Sequence, residues 1–97
     1  MRESRVERYL VRRVRELGGV ALKFTSPGTS GVPDRLVVLR DVDAAGHTYL
    51  VEVKSPTGRL RKLQTHIHGL LRKAGAEVVV LKSVDEVDDW LNSLRPA

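Results

Sequence analysis

Residues 35–54, which read RLVVLRDVDAAGHTYLVEVK, decide the fold of this chain. Residues 35–40 and 48–54 are two runs rich in valine and leucine, and the segment 41–47 between them contains aspartate, alanine and glycine. Two apolar runs joined by a short segment of turn-forming residues are typical of an antiparallel hairpin. We therefore predict a β-hairpin over these residues.

Upstream of the hairpin, the sequence predicts a helix, a strand and a loop. The apolar residues of segment 4–17 recur at intervals of three and four, the period of an amphipathic helix, and Gly18 and Gly19 favour its end. Residues 20–24 predict a short strand. Residues 25–33 are rich in Ser, Thr, Gly and Pro, so we expect an exposed loop that leads into the hairpin.

Downstream of the hairpin, the sequence predicts a second helix, a strand and a third helix. The second helix is expected to bury an apolar stripe that consists of Leu60, Leu63, Ile67, Leu70, Leu71 and Ala74. It ends at Gly75. The continuous apolar run 77–81 is most simply a central strand. Ser83 and Glu86 have the spacing of a capping box, which opens the last helix.

The predicted order of elements is α-β-β-β-α-β-α, with no internal repeat or low-complexity segment. At 97 residues the chain has room for one domain, which we assign to residues 1–97. We therefore expect an α/β fold in which a mixed sheet of about four strands is flanked by helices.

The composition restricts the compartment and the partner. The chain contains no cysteine, which suits a reducing compartment and leaves oxygen and nitrogen atoms as metal ligands. No apolar run reaches the ~20 residues that cross a bilayer, and no signal-peptide pattern is present, so we expect a soluble cytoplasmic protein with no membrane partner. Seventeen Lys and Arg residues against 12 Asp and Glu give a net charge of +5, which favours a polyanionic partner.

Much of the positive charge lies in one stretch of the sequence. Residues 54–75 contain no Asp or Glu, and Arg59, Arg61 and Lys62 stand near the start of the second predicted helix. These three residues are candidates for contacts with DNA phosphates. An ordinary solvated helix surface explains them equally well.

Glu52 and Lys54 form the most informative pair in the hairpin. Alternate side chains of a strand share a face, so the carboxylate of Glu52 and the ammonium of Lys54 lie side by side. If Arg40 pairs with His47, the antiparallel register brings Asp34 within a residue or two of this pair. Two carboxylates and a lysine are then expected to converge.

This combination of groups suits the hydrolysis of a phosphodiester. Carboxylate oxygens hold Mg²⁺ or Mn²⁺, the metal lowers the pKa of a bound water, and a lysine can orient the nucleophile or stabilise developing negative charge. The structural alternative is that Asp34 caps a turn and that Glu52 and Lys54 form a surface ion pair. This alternative is weakened because Glu52 stands in an otherwise apolar strand, where an uncompensated buried charge is costly.

Several residues in chain order resemble the VRR-NUC branch of the PD-(D/E)xK nuclease superfamily. They are Glu7 on the first helix, Gly31-Val32-Pro33-Asp34, Glu52-Val53-Lys54, and Gln64 on the helix that follows. The resemblance extends from Glu7 to about Asp85, and the predicted order of elements matches the family's α-β-β-β-α-β core.

The resemblance implies a restriction-endonuclease-like fold and a role for each matched residue. It implies that Asp34 and Glu52 are metal-binding carboxylates and that the backbone carbonyl of Val53 is a further ligand. Lys54 would be the catalytic lysine. The chain resembles the stand-alone bacterial and viral members, which implies the cytoplasm of a bacterium or of an infected host cell.

The helical periodicity gives information on Gln64 and Glu7 that does not depend on the family resemblance. Gln64 lies on or beside the predicted inward stripe, where a buried amide needs a polar partner, and the resemblance makes it a supporting residue near the site. The resemblance also implies that Glu7 reaches the metal directly or through water. Because Glu7 follows the inward Val6, a solvated carboxylate on the helix surface is an equally good explanation.

Two further polar features are weaker candidates. The loop 26–31, SPGTSG, has no Walker pattern, so a nucleotide-binding P-loop is disfavoured. Ser26 and Gly31 are candidates for guiding the scissile strand past the site, although plain turn glycines are the commoner case. His66 and His68 do not share a helix face, so a zinc pair is disfavoured and both imidazoles are expected to be solvated or packed at an edge.

Together these observations predict a structure-selective DNA endonuclease that depends on Mg²⁺ or Mn²⁺. No base-reading motif is present, so selectivity has to come from DNA shape. The first expectation is a Holliday-junction resolvase that acts on branched DNA as a homodimer, because two symmetrical nicks need two sites. A flap or nicking endonuclease and a catalytically silent DNA-binding module are the alternatives. A sequence-specific restriction enzyme has little room here for recognition loops.

Overall fold

The computed structural model describes residues 2–40 and 45–94. Its elements occur in the order α1 (Glu3–Glu16), β1 (Val20–Lys23), β2 (Arg35–Arg40), β3 (Gly46–Val53), α2 (Lys62–Lys73), β4 (Val78–Leu81) and α3 (Val84–Leu94). This order and the mixed four-stranded sheet confirm the predicted α/β fold. The predicted hairpin is present, but residues 41–44 of its turn lie outside the described residues. No helix in the described ranges is long and apolar enough to cross a membrane.

The sheet has the strand order β1-β2-β3-β4. Strands β1, β2 and β3 pair antiparallel, and β4 lies parallel to β3. The prediction of a central strand is therefore wrong, because β4 stands at an edge of the described sheet. Its continuous apolar sequence has another cause. One face of β4 contacts α2, and Leu81 packs on the other face in the core that also contains α3 residues, so both faces are sheltered.

The register of the hairpin differs by one residue from the predicted register. Arg40 pairs with Gly46 and not with His47. Continued to the start of β2, this register places Asp34 across from Glu52. The two carboxylates therefore stand on the same face of the sheet.

The opposite face of the sheet carries the hydrophobic core. The buried core consists of Val6, Leu10 and Val14 from α1, Val87 and Leu91 from α3, and Val37, Leu39, Tyr49, Val51, Val53 and Leu81 from the sheet. A hydrogen bond also joins the two helices, because the hydroxyl of Tyr9 donates to the carboxylate of Asp88 with an O–O distance of 2.7 Å. Helices α1 and α3 thus form one layer on this face.

Helix α2 packs on the face that carries the carboxylates, and it is rotated relative to the prediction. Its buried residues are Gln64 and His68, whereas Leu63 and Leu70 are 50% and 52% exposed. The prediction that the apolar stripe is the inward face is therefore wrong for Leu63, Leu70 and Ala74, which are exposed, whereas Leu60, Ile67 and Leu71 are half-buried. The expectation that His68 is solvated or edge-packed is also wrong. The polar side of α2 turns inward because the surface beneath it contains Glu52, and a buried carboxylate needs polar neighbours.

Candidate active site

Asp34 stands at the end of the loop that connects β1 to β2. The preceding Pro33 is fully buried, and the N–H of Phe24 donates to the carbonyl oxygen of Asp34 with an N–O distance of 2.8 Å. Within the loop, Gly31 has a φ of +91°, which glycine adopts without steric cost. These restraints fix the backbone from which the Asp34 carboxylate extends. Its Oδ1 atom is buried and has no hydrogen-bond partner within the described part of the chain.

Glu52 lies on β3 directly beside Asp34, on the same face of the sheet. Its side chain is only 6% exposed. Burial raises the pKa of Glu52 to about 7, and the charge of Asp34 acts in the same direction, against the opposing charge of Lys54. Ionisation of Glu52 is therefore unfavourable without a further positive charge nearby. Near neutral pH, this carboxyl group is poised to lose its proton when a cation binds beside it.

Lys54 supplies the positive charge closest to this carboxylate. Its Nζ atom is 4.0 Å from Oε2 of Glu52. The backbone N–H of Lys54 donates to the carbonyl of Leu81 with an N–O distance of 2.9 Å, so β4 holds the end of β3 from which the lysine extends. A distance of 4.0 Å is too long for a hydrogen bond, so the ammonium attracts Glu52 while its N–H donors can be directed at a phosphate oxygen.

Gln64 connects α2 to Glu52. Its Oε1 atom accepts the backbone N–H of Arg61 at 2.9 Å, and its Nε2 atom donates to Oε2 of Glu52 at 3.5 Å. An amide can accept and donate at the same time, whereas an ionised carboxylate in its place has no donor to offer. Gln64 thus fixes the start of α2 and the orientation of Glu52 together.

Glu7 lies apart from this cluster. Its carboxylate forms ion pairs with Arg35 and with Lys23, the latter at 3.6 Å between Nζ and Oε1. Burial alone would raise the pKa of Glu7, but the hydrogen bond and the charge of Arg35, together with Lys23, lower it below its ordinary value. The α1 carboxylate whose charge acts on Glu52 is instead Glu3. The two glutamates are four residues apart on one side of the helix, so the sequence pattern alone does not choose between them.

The donor atoms of this cluster fit a hard divalent cation. Within residues 2–40 and 45–94, no three His, Cys, Asp or Glu side chains lie close enough together to hold a metal by themselves. A cation here would therefore be held by the carboxylates of Asp34 and Glu52, with the backbone carbonyl of Val53, water and substrate oxygens completing the shell. The buried, unpartnered oxygen of Asp34 and its repulsion of Glu52 both fit such an ion.

Basic residues surround the cluster on the α2 side. A surface cavity of about 290 Å³ is lined by Ser30, Gly31, Arg61, Leu63 and Gln64. The charge of Arg61 reaches Glu52, whose pKa it lowers against the larger effects of burial and Asp34. Arg59 and Lys62 are exposed next to Arg61, while Ser26 is half-buried and does not line this cavity. Of the predicted loop candidates, the structure brings Gly31 to this cavity and leaves Ser26 outside it.

His68 is a member of this region that sequence reasoning missed. Its side chain is fully buried, and neither ring nitrogen has a hydrogen-bond partner among the described residues. Burial lowers the pKa of His68, and the charges of Arg72 and Lys54 act in the same direction, so the imidazole is neutral. The available signal was the spacing of four residues between Gln64 and His68, which forms a polar stripe next to the apolar one.

Three comparisons with known proteins agree with the predicted resemblance. The VRR-NUC domain family matches residues 6–85. The protein "Putative nuclease p44" of Acyrthosiphon pisum secondary endosymbiont phage 1 is 42% identical over 97 residues, which cover 100% of this chain and 95% of that protein. A solved structure described as "VRR_NUC domain" aligns with a TM-score of 0.82 and 35% identity over 93% of this chain and 94% of that one.

The four-stranded mixed sheet and these matches define a nuclease domain, whose substrate class is DNA. The chain belongs to the VRR-NUC family. The resemblance read from the sequence is thereby confirmed.

Proposed function

We propose that the chain is a divalent-metal-dependent DNA endonuclease whose active centre consists of Asp34, Glu52 and Lys54. The observation that carries this proposal is the buried, unpartnered Oδ1 of Asp34 across the sheet from Glu52. Two neighbouring carboxylates that repel each other, of which Glu52 is buried and Asp34 is half-buried, are stabilised by a cation between them. Lys54 offsets only part of the repulsion, because it lies 4.0 Å from one oxygen of Glu52.

Each residue of the centre has a separate task in the proposed reaction. Asp34, Glu52 and the carbonyl of Val53 would hold Mg²⁺ or Mn²⁺, which polarises the phosphodiester and lowers the pKa of a bound water. Lys54 places its ammonium beside the scissile phosphate and stabilises the negative charge that develops there. Gln64 holds the carboxylate of Glu52 in one orientation before DNA binds, so the geometry is set in advance.

The α2 side of the cluster is the proposed path of the scissile strand. Arg59, Arg61 and Lys62 contact its phosphates, which fix the position of the DNA and carry no sequence information. The loop that contains Ser26 and Gly31 guides the strand past Asp34. The selectivity of the enzyme then depends on the shape of the DNA and not on its bases.

Incubation of the purified chain with branched, flapped and linear DNA, in Mg²⁺, Mn²⁺ or EDTA, tests this proposal. We expect cleavage in the presence of a divalent cation and none in EDTA. A catalytically silent module would bind these DNAs and cut none of them under any condition. Cleavage that persists in EDTA would contradict the metal requirement.

We further propose that a homodimer acts on four-way junctions. Each chain contributes one carboxylate–lysine cluster among its described residues, and resolution of a junction needs two nicks related by two-fold symmetry. Large apolar side chains that are 40–53% exposed also leave a surface that a second copy can cover. They are Val20, Leu22, Val38 and Leu70, whereas Leu63 lines the cavity on the proposed path of the DNA.

Light scattering at micromolar concentration, combined with cleavage of an immobile junction, a flap and a linear duplex, tests the dimer and its substrate. A dimer that nicks the junction at symmetrical positions is the expected result. A monomer that cuts flaps and leaves junctions whole would contradict the proposal and favour a flap endonuclease.

A further inference from the structure

The outer surface of α1 carries a row of arginines that the active-site cluster does not use. This arginine row consists of Arg5, Arg8, Arg12 and Arg15, all of which are exposed. Their successive spacings of three, four and three residues keep them on one side of a helix with 3.6 residues per turn. The buried residues of α1 lie on the opposite side of the helix and face the core.

Within the described residues, acidic side chains do not neutralise the arginine row. The ion pairs that α1 forms involve Arg13 and Glu7, and none of them includes a member of the row. Like charges three and four residues apart repel each other, so the row lowers the stability of α1. A helix that needed only a soluble surface would mix acidic with basic residues at these positions. The arrangement is therefore better explained by a polyanionic partner.

A groove runs beside the arginine row. It has a volume of about 570 Å³ and lies between α1 and the strands β1 and β2, with three members of the row on one wall and Lys23 and Arg35 on the other. Glu7 also lines the groove and pairs with Lys23 and Arg35, so its one negative charge offsets only one of the two positive charges on that wall. A groove with an excess of positive charge on both walls accepts a phosphate backbone, which is bound through charge neutralisation and counterion release.

The arginine row and the active-site cluster face different directions. Helix α1 packs on the core face of the sheet, whereas α2 packs on the face that carries Glu52. Helix α1 nevertheless begins near the cluster, since the charge of Glu3 in its first turn acts on Glu52. A duplex is stiff over tens of base pairs, so one straight duplex does not follow the α2 side and the arginine row together.

We propose that the arginine row binds the phosphate backbone of a second duplex arm, so that two arms of one DNA meet at the active centre. This inference rests on the proposed nuclease function and assigns to α1 a DNA contact outside the active centre. The arm on the α2 side contains the scissile strand, and the arm on α1 fixes the branch point relative to Asp34 and Glu52. Two arginine rows would repel each other, so the outer surface of α1 is not the place where two copies pair symmetrically.

The test compares two double variants that remove the same charge. Arg8→Gln with Arg12→Gln removes half of the row and keeps good helix formers in α1. Lys73→Gln with Lys82→Gln, at the far end of α2 and after β4, is the matched control. Each double variant is combined with Asp34→Asn, so that DNA is bound without being cut. The Kd is measured for a four-way junction and for a linear duplex between about 50 and about 200 mM salt.

We expect the Arg8/Arg12 variant to bind the junction about tenfold more weakly. Its salt dependence should also be weaker, with the negative slope of log K against log salt reduced in magnitude by about 1.5 to 2. Binding of the linear duplex should change much less, and the melting temperature should stay close to that of the parent, because relief of repulsion along α1 offsets the lost contact between Arg12 and the ring of Tyr9. The control variant should leave junction binding unchanged. An unchanged junction affinity in the Arg8/Arg12 variant, or an equal loss on the linear duplex, would overturn the inference.

Cleavage by the wild-type chain in Mn²⁺ is measured in parallel and separates the two proposals. If the wild type cuts DNA and the Arg8/Arg12 variant binds the junction normally, the second-arm inference fails and the nuclease proposal stands. If the wild type cuts no DNA and the variant still loses junction binding selectively, the nuclease proposal fails and the second-arm contact stands.

Discussion

At the scale of single residues, Glu52 combines an unfavourable location with a defined set of neighbours. Its side chain is 6% exposed on the face of the sheet that α2 covers, where an ionised carboxylate loses its hydration. Burial raises the pKa of Glu52 most, Asp34 on the neighbouring strand adds repulsion, and the charges of Lys54 and Arg61 compensate only in part, which leaves this pKa at about 7. The carboxylate is therefore costly to the folded chain alone and is stabilised once a cation is bound.

The stability of the chain without metal should depend on pH through Glu52. In the unfolded chain Glu52 loses its proton near its ordinary pKa of 4.5, and in the folded chain only near 7. Between these values the unfolded state holds fewer protons, so the free energy of unfolding falls as the pH rises, by at most about 3 kcal/mol. Glu52→Gln has no such proton to lose. Urea unfolding of both proteins from about pH 5 to about pH 8 should therefore show a smaller fall in the variant, and parallel profiles would contradict the assignment.

Lys54→Ala should reduce kcat far more than it raises KM, because an ammonium that stabilises developing charge acts mainly on the chemical step. A loss of about 10² to 10³ in kcat is the expected size for a single group of this kind. Lys62→Ala is the comparison, because a residue that contacts phosphates should mainly weaken binding. Steady-state kinetics on one DNA substrate separates the two effects. A Lys54→Ala enzyme with normal kcat and a raised KM would make Lys54 a binding residue.

At the scale of elements, α2 is the helix whose orientation is set by the site. Its most apolar side is half exposed at Leu63 and Leu70, while Gln64 and His68 are buried. The free energy lost by exposing two leucines is offset by two hydrogen bonds of Gln64, which donates to Glu52 and accepts the backbone N–H of Arg61.

Gln64→Ala should therefore destabilise the chain more than Leu63→Ala, although Leu63 has the larger apolar side chain. Loss of the Gln64 amide leaves the N–H of Arg61 and the carboxylate of Glu52 without this partner, a cost of about 1 to 2 kcal/mol. Removal of a half-exposed leucine costs less, about 0.5 kcal/mol. Urea unfolding at about pH 8, where Glu52 is ionised, measures both. The reverse order of stabilities would show that the apolar side of α2 is the buried one.

The elements that local patterns determine were predictable, and those that depend on long-range contacts were not. The period of three and four residues in α1 and the apolar run of β2 are local, and both predictions are confirmed within a few residues. The hairpin register depends on the number of residues in the turn, which the segment 41–47 does not fix, and the prediction missed it by one residue. The inward side of α2 and the edge position of β4 depend on the elements that each one packs against. The periodicity of a single segment does not specify its packing partner.

In the candidate site, too, some residues could be placed from local patterns and others could not. Asp34 and Glu52 were placed together from strand alternation and hairpin pairing, which need only local geometry. The choice between Glu3 and Glu7 depends on where the start of α1 lies relative to the sheet, and the sequence does not specify that distance.

At the scale of the whole molecule, charge is distributed unevenly over the three helices. The outer side of α1 and the start of α2 are basic, whereas α3 carries four acidic residues, namely Asp85, Glu86, Asp88 and Asp89. Asp88 is engaged by Tyr9 and Arg13 of the neighbouring α1. A polyanion is attracted to the two basic surfaces and repelled by α3, so we expect DNA to approach the outer side of α1 and the start of α2 and not α3.

The central claim is that Asp34 and Glu52 act as the two carboxylates of one metal-dependent centre. Its most direct test is the initial rate of DNA cleavage in Mn²⁺ by the wild type, Asp34→Asn and Glu52→Gln, with the exposed Glu77→Gln as the control for loss of one carboxylate. We expect no detectable cleavage by Asp34→Asn and Glu52→Gln, with DNA binding close to wild type and melting temperatures in EDTA equal to or above wild type because carboxylate repulsion is relieved, and normal cleavage by the control. Cleavage at the wild-type rate by either Asp34→Asn or Glu52→Gln would contradict the account.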